Sequence, residues 1–224
     1  SGEVGTVDIL PEGSPAANVD AGRIHYDGLA HVGTPGDDAA EAYSSSRPSE
    51  LAPRGAAWFC GAGGPMGQMH VQRAAEKPDG PSLIVATDID AGRLGVVAER
   101  FGPLADKRGA RLVSLNPKEM SQEEFDAALR RLTGGKGFTD IAVLVPVPAI
   151  ISHCATHLGE RGLLNIFAGV PKGTMAHIPV LDTARKGVRF IGTSGSTIAD
   201  LRSTLGATEA GTLSPNLSVA AIGG

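Results

Sequence analysis

The stretch Trp58-Phe-Cys-Gly-Ala-Gly-Gly-Pro-Met-Gly67 runs from apolar residues into four closely spaced glycines, and the periodicity beyond it predicts an amphipathic helix over residues 66–76. A strand that breaks on Gly61 and a helix that opens at Pro65 leave room only for a tight turn. Gly61 permits that turn, Gly63 and Gly64 let backbone N–H groups approach an anion without an intervening Cβ, and Gly67 lets the helix pack closely against the sheet. Pro65 suits the first helical position, where its missing N–H has no partner to lose, and with Met66 it begins a helix whose free N–H groups and dipole favour phosphate. The loop therefore reads as a cradle for a nucleotide pyrophosphate.

The spacing is Gly61-x-x-Gly64-x-x-Gly67, since Met66 stands where a strict G-x-G-x-x-G pattern needs its third glycine. Context supports the reading. A second apolar run, Leu83-Ile-Val-Ala-Thr-Asp88, ends in a carboxylate 21 residues after Gly67, where a dinucleotide domain places the acid that binds the adenosine ribose. The alternative is that the glycines merely turn a corner and Asp88 caps the next helix.

Strands and helices then alternate. Helices are expected at 90–101, 121–132, 149–158 and 197–205, and strands at 111–115, 139–145, 162–168 and 187–192. Ser121 with Glu124 predicts a capping box, and Thr197 with Asp200 caps the last helix. Strands without polar alternation are buried on both faces. The expected fold is α/β: a Rossmann-type doubly wound parallel sheet with a short N-terminal β-containing appendage. Residues 55–224 form the dinucleotide-binding domain, truncated at its C-terminus, and residues 1–54 a head and linker. Within the head, residues 28–36 echo 187–195, and residues 7–9 lie upstream of their copy much as 164–166 do, so the head is expected to be the last two strands of a preceding unit. The alternative is coincidence between two glycine-ended strands.

Composition narrows the classes. A 224-residue chain that is 42% hydrophobic buries one good α/β core, and aromatics at 4% with a net charge of -4 leave no basic or aromatic platform for nucleic acid. No apolar run reaches membrane-spanning length and no signal-peptide pattern opens the chain, so neither nucleic acid nor membrane is an expected partner and a cytoplasmic protein is expected. Cys60 and Cys154 are expected to be reduced core residues.

The glycine loop, Asp88, Val145-Pro-Val-Pro148, Phe167-Ala-Gly169 and Phe190-Ile-Gly-Thr-Ser-Gly-Ser196 together resemble the cofactor domain of medium-chain, zinc-type alcohol and polyol dehydrogenases. Residues 25–28 and 61–73 resemble most a sorbose-1-phosphate reductase-like branch. The resemblance implies that Gly61, Gly64 and Gly67 hold the pyrophosphate and Asp88 the ribose, that Val145, Pro146, Ala168 and Gly169 face the nicotinamide, and that Thr193 and Ser194 close its pocket. It implies hydride transfer between NAD(H) and a sugar, polyol or other secondary alcohol or ketone, and dimerisation through the last strand. Asp88 would repel a 2′-phosphate, so NAD is expected over NADP. Family members hold zinc in a separate N-terminal catalytic domain, and no such domain fits before residue 55. The chain is therefore expected to be a segment missing both ends, with no catalytic residue of its own and zinc only in the part not present.

Other polar groups carry structural readings. His153 and His157 share a helix face, but no third ligand lies near them in sequence, so no metal site is assigned. His70 is expected to pack between helix and sheet, and His25 and Tyr26, placed on a strand, to point to opposite faces. Glu123, Glu124, Arg130 and Arg131 complement a helix dipole. Two further functional readings remain: a nucleotide-sensing module without chemistry, and an S-adenosylmethionine-dependent methyltransferase, which also uses a glycine loop and an acid after the second strand.

Overall fold

The computed structural model describes residues 15–43, 50–192, 194–214 and 216. Six strands, β2 (Ala56–Cys60), β3 (Leu83–Thr87), β4 (Arg111–Leu115), β5 (Phe138–Val143), β6 (Leu158–Ile166) and β8 (Arg189–Ile191), form one parallel sheet in the order β4-β3-β2-β5-β6-β8. Chain order reverses between β2 and β5, which makes that junction the topological switch point of a doubly wound sheet. Helices α3 (Pro65–Glu76), α4 (Ala91–Lys107), α5 (Gln122–Leu132) and α6 (Pro148–Ala155) make the crossovers, and α8 (Ile198–Glu209) follows the last strand.

Alternation along β2 shows how the layers are built. Ala57 and Phe59 join Val71, Ala74, Val97 and Phe101 in a core beneath α3 and α4. Trp58 and Cys60 join Phe125, Leu129, Ile151 and Cys154 in a second core beneath α5 and α6. Successive side chains of a strand point to opposite faces, so an unbroken apolar run is what a strand covered on both sides requires.

The head packs into the second core. Strand β1 (Ala17–Asp20) pairs antiparallel with β7 (Met175–Ile178), and helix α1 (Ala21–Asp27) is capped by Asp20 at one end and by Gly28, at φ 66°, at the other. Val19, Ala21 and Ile24 are buried beside Ile166, Ala176 and Phe190. A four-residue helix, α2 (Ala40–Tyr43), follows. His25 and Tyr26 thus lie on a helix and not on the expected strand. Of the 28–36 echo, His31 alone makes strand-like pairing, donating to the Phe190 carbonyl at 2.9 Å and accepting from its N–H at 3.0 Å. Residues 7–9 lie outside the described residues.

Element boundaries differ from expectation in places with clear causes. Helix α4 continues past Pro103 to Lys107, at a cost of about 3 kcal/mol for an interior proline. Phe101 and Ala105 stay buried on the same apolar face, and just beyond the helix Arg108 donates to the carbonyls of Ala74, Ala75, Gly80 and Pro81 at 2.6–3.2 Å, tying that end down. Strand β6 begins at Leu158, earlier than expected, because a register irregularity against β5 takes up the glycines at 159 and 162. The strand β7 and the short helix α7 (Asp182–Lys186) carry too few residues to show a period. Among the described residues no helix is long and apolar enough to cross a membrane.

Candidate functional site

The glycine loop sits at the carboxyl end of β2, at the switch point. Gly61 and Ala62 donate to the Thr87 carbonyl at 2.8 and 3.0 Å, which folds the loop over the end of β3. Gly61 has φ 88°, and a Cβ there would lie 2.7 Å from Val145 Cγ1. A Cβ on Gly67 would lie 2.3 Å from the Gly61 carbonyl oxygen and 2.5 Å from Ala62 Cα, so α3 meets the loop backbone to backbone. At Gly63 a Cβ would lie 2.6 Å from Arg93 Cβ and 2.8 Å from Asp88 Oδ2. Gly64 differs: the nearest atom is the Gly61 carbonyl oxygen at 3.8 Å, and its φ of -73° suits any residue. Helix α3 then opens with Pro65 in its first turn and no side-chain cap, leaving its first-turn N–H groups and positive dipole end beside that open space. Met66, in the first turn, is exposed.

Asp88 follows β3 directly. Its Oδ2 accepts the Gly63 N–H at 2.9 Å and its Oδ1 accepts the Asp90 N–H at 3.0 Å, so both oxygens are aimed by backbone donors and each keeps further acceptor capacity. The cap of α4 is Asp90, whose side chain accepts from Arg93 N. Capping therefore does not account for Asp88.

The remaining expected site residues follow the next strands. Val145 packs on Gly61, with Pro146 beside it, and Ala168 donates to the Val143 carbonyl at 2.9 Å, which brings the carboxyl ends of β5 and β6 alongside the loop. Next to Gly169 stands a residue from the head: a Cβ at Gly169 would lie 2.8 Å from the Tyr26 hydroxyl. On the same helix His25 is buried with Nδ1 3.1 Å from the Ile166 carbonyl oxygen, and the His25 and Tyr26 rings meet edge to face with centroids 4.6 Å apart. Ser194 is exposed beyond β8, and Thr193 lies outside the described residues. His70 packs edge-on against Phe167 with ring centroids 4.7 Å apart, its Nδ1–H donating to the Met66 carbonyl at 2.7 Å. Burial holds its imidazole below the ordinary value.

Two structural readings of the sequence need amendment. Cys60 and Cys154 are free and buried as expected, yet they adjoin: the two thiols share a hydrogen bond, and burial pushes Cys154 well above the ordinary thiol value. The histidine pair has a third ligand-type group close by in space that its sequence neighbourhood lacks. Asp126, on α5, brings Oδ1 to 2.7 Å from His153 Nε2 and 3.1 Å from His157 Nε2. The signal was the matching i, i+4 pair Gln122 and Asp126 on a helix that packs beside α6, and it shows only once both helices lie on one face of the sheet.

Comparison with known proteins places this architecture. No family model matches the chain. An uncharacterised Escherichia coli K12 protein, YggP, is 35% identical over 163 residues, 72% of this chain and 38% of that protein. A mannitol-1-phosphate 5-dehydrogenase of Aliivibrio fischeri is 31% identical over 72% of this chain and 38% of that enzyme, and an L-sorbose 1-phosphate reductase of Klebsiella pneumoniae 33% over 69% and 36%. The chain thus matches less than two fifths of the length of these relatives. Among solved structures, an alcohol dehydrogenase zinc-binding domain protein from Burkholderia ambifaria aligns with TM-score 0.53 and 25% identity over 72% of this chain and 40% of that one. An Escherichia coli CFT073 protein described as a short chain alcohol dehydrogenase, complexed with NADH, shares the fold at TM-score 0.57 and 16% identity, over 75% of this chain and 44% of that one. Both comparisons point to one class: the named sequence relatives are a polyol-phosphate dehydrogenase and a sugar-phosphate reductase, and the fold is shared with part of alcohol dehydrogenase chains.

Proposed function

We propose that this chain is the NAD(H)-binding part, residues 55–224 with the 1–54 head packed against it through residues 17–31, of a dehydrogenase that oxidises and reduces polyol or sugar phosphates. The observation that carries the reading is the open space at Gly64. Val145 and the loop's own backbone explain the glycines at 61 and 67, whereas at Gly64 the chain offers only one atom within 4 Å, beside an uncapped helix start. A pyrophosphate fits that space and those N–H groups. Gly61, Gly63, Gly64, Pro65, Met66 and Gly67 form its cradle, and Asp88 takes the adenosine ribose hydroxyls. Val145, Pro146, Ala168 and Gly169 back the nicotinamide, and Ser194, with Thr193, closes the pocket. When bound, NAD(H) supplies the hydride chemistry, and the chain's residues orient it and keep water away.

The carboxylate of Asp88 favours NAD over NADP, since a 2′-phosphate would bring like charge against it and the guanidinium of Arg93 lies 3.6 Å from Asp90, already paired. Fluorescence titration of the chain with NADH and NADPH tests both statements. Saturable NADH binding at least tenfold tighter than NADPH is expected. Absence of NADH binding overturns the function, and equal or tighter NADPH binding overturns the cofactor preference. A purely nucleotide-sensing role would bind NADH equally well, and the relatives named as a dehydrogenase and a reductase favour catalysis over it. Self-association belongs to the same proposal: β8 is the last strand of the sheet, and since His31 takes both backbone bonds of Phe190 on its outer edge, a second copy would add a strand by displacing that bridge. Light scattering that finds a monomer at all concentrations would remove that part.

A further inference from the structure

On the face of the sheet covered by α5 and α6, three ligand-type atoms from two elements converge. Asp126 Oδ1, His153 Nε2 and His157 Nε2 are separated by 2.7, 3.1 and 3.2 Å. In a tetrahedral zinc site with bonds of 2.0–2.2 Å, neighbouring ligand atoms stand about 3.3 Å apart. The three atoms therefore already outline one face of such a tetrahedron, slightly contracted.

Hydrogen bonding crowds the group. Gln122 Nε2 lies 2.9 Å from His153 Nε2 and 3.0 Å from Asp126 Oδ1. If His153 carries its proton on Nε2, that N–H, the Gln122 amide and His157 all converge on the one Asp126 oxygen, with the His153 nitrogen only 2.9 Å from that of Gln122 and 3.2 Å from that of His157. If it does not, its lone pair faces the ionised Asp126 oxygen at 2.7 Å. Turning the amide over, which the placement of its oxygen and nitrogen allows, only moves the conflict, since two oxygens then stand 3.0 Å apart. With Asp126 ionised, each assignment crowds like groups around a single carboxylate oxygen. A cation is the partner that all of these atoms share when the amide oxygen faces inward.

The surroundings suit an ion. The Trp58 ring lies edge to face against both imidazoles, at 6.0 and 5.6 Å between centroids, and the Phe125 ring lies 6.0 Å from His153, so the histidines are held by apolar packing. Asp126 and His157 line a surface pocket of about 990 Å³, which gives an entry path. That pocket opens among the first residues of β5 and β6, at the amino ends of the strands, whereas the glycine loop lies at their carboxyl ends.

We infer that Asp126, His153 and His157 form a binding site for a divalent transition-metal ion, zinc(II) by ligand type, that cross-links α5 to the end of α6 away from the nucleotide cradle. Imidazole nitrogen with a single carboxylate suits zinc better than calcium or magnesium, which take oxygen ligands. The Gln122 oxygen or water from the pocket completes the tetrahedron.

The test is titration of the chelator-treated chain with zinc(II) alone, followed by calorimetry and thermal melting, and with cobalt(II) for its visible tetrahedral bands. One equivalent should bind, and zinc at a hundredfold excess over its Kd should raise the melting temperature by about 5–10 °C. Asp126→Asn, nearly the same shape, and His153→Gln should each weaken binding at least tenfold and abolish the cobalt bands, while His177→Gln, outside the cluster, should change neither. Should His153→Gln fail to fold, Asp126→Asn decides by itself. Absence of saturable binding to the parent chain, or zinc binding unchanged in Asp126→Asn, overturns the site.

Discussion

Replacing Gly67 by alanine sets two effects of opposite sign against each other. Gly67 lies inside α3, and by helix propensity alone alanine there should stabilise the chain by about 1 kcal/mol. The new Cβ, however, would stand 2.3 Å from the Gly61 carbonyl oxygen and 2.5 Å from Ala62 Cα, against an ordinary contact that starts near 3.4 Å. Both obstacles are backbone, and Gly61 is itself pinned by its bond to Thr87 and by Val145, so the helix must retreat by about 1 Å. Overpacking of this kind costs about 1–3 kcal/mol, and with no flexible side chain to yield the upper end applies. The net result is destabilisation of about 1–2 kcal/mol, which for a chain of this size lowers the melting temperature by about 2–8 °C. Thermal unfolding followed by circular dichroism reads this directly. If Gly67→Ala melts at or above the parent temperature, propensity has won and α3 does not meet the loop as closely as described.

Gly64→Val should do the reverse, melting within about 2 °C of the parent because the site is open, while its branched side chain fills the anion approach and weakens NADH binding at least tenfold. Unchanged affinity in the folded variant would put the phosphates elsewhere. The buried thiols of Cys60 and Cys154 should resist a thiol reagent in the native chain and both react in denaturant; fast native labelling of two thiols would contradict their packing. Burial depresses the His70 pKa below its ordinary 6.5, so the unfolded chain binds the extra proton first. The His70 contribution to stability is therefore whole above about pH 6.5 and is lost as pH falls toward the folded value. His70→Gln should flatten that part of the pH dependence of melting, and an unchanged profile would refute the assignment.

The sheet is legible in the sequence because β2 and β3 are short, almost wholly apolar runs bounded by glycine, proline or aspartate, and only strands covered on both faces read that way. Ser121 with Glu124 and Thr197 with Asp200 are legible too, since a capping box is a local bargain between residues three apart, and both form. What is not legible depends on chain segments far apart in sequence. Strand β1 exists because β7, more than 150 residues later, supplies its hydrogen bonds, and four residues carry no period by themselves. The helix under His25 and Tyr26 is set by Asp20 and Gly28, caps that are visible in retrospect, but the residues between them alternate poorly for either structure. Asp126 meets His153 and His157 only through the packing of two helices on a common sheet face.

The glycines show how far such a loop testifies to its ligand. Three of the four in the turn have a cause inside the chain: Gly61 through its φ and Val145, Gly63 through Asp88 and Arg93, Gly67 through the loop backbone. A chain that bound nothing would need them just as much to bring β2, α3 and β3 together. Their presence in the sequence therefore argues for the fold and is silent on the cofactor. Of these four, Gly64 alone has neither a strained backbone nor a close neighbour, so within the turn its missing side chain is the one that points to something outside the chain. Gly67→Ala and Gly64→Val consequently separate the two roles: one should cost stability, the other cofactor affinity. Loss of both properties in both variants would mean that fold and ligand site are not separable at this turn.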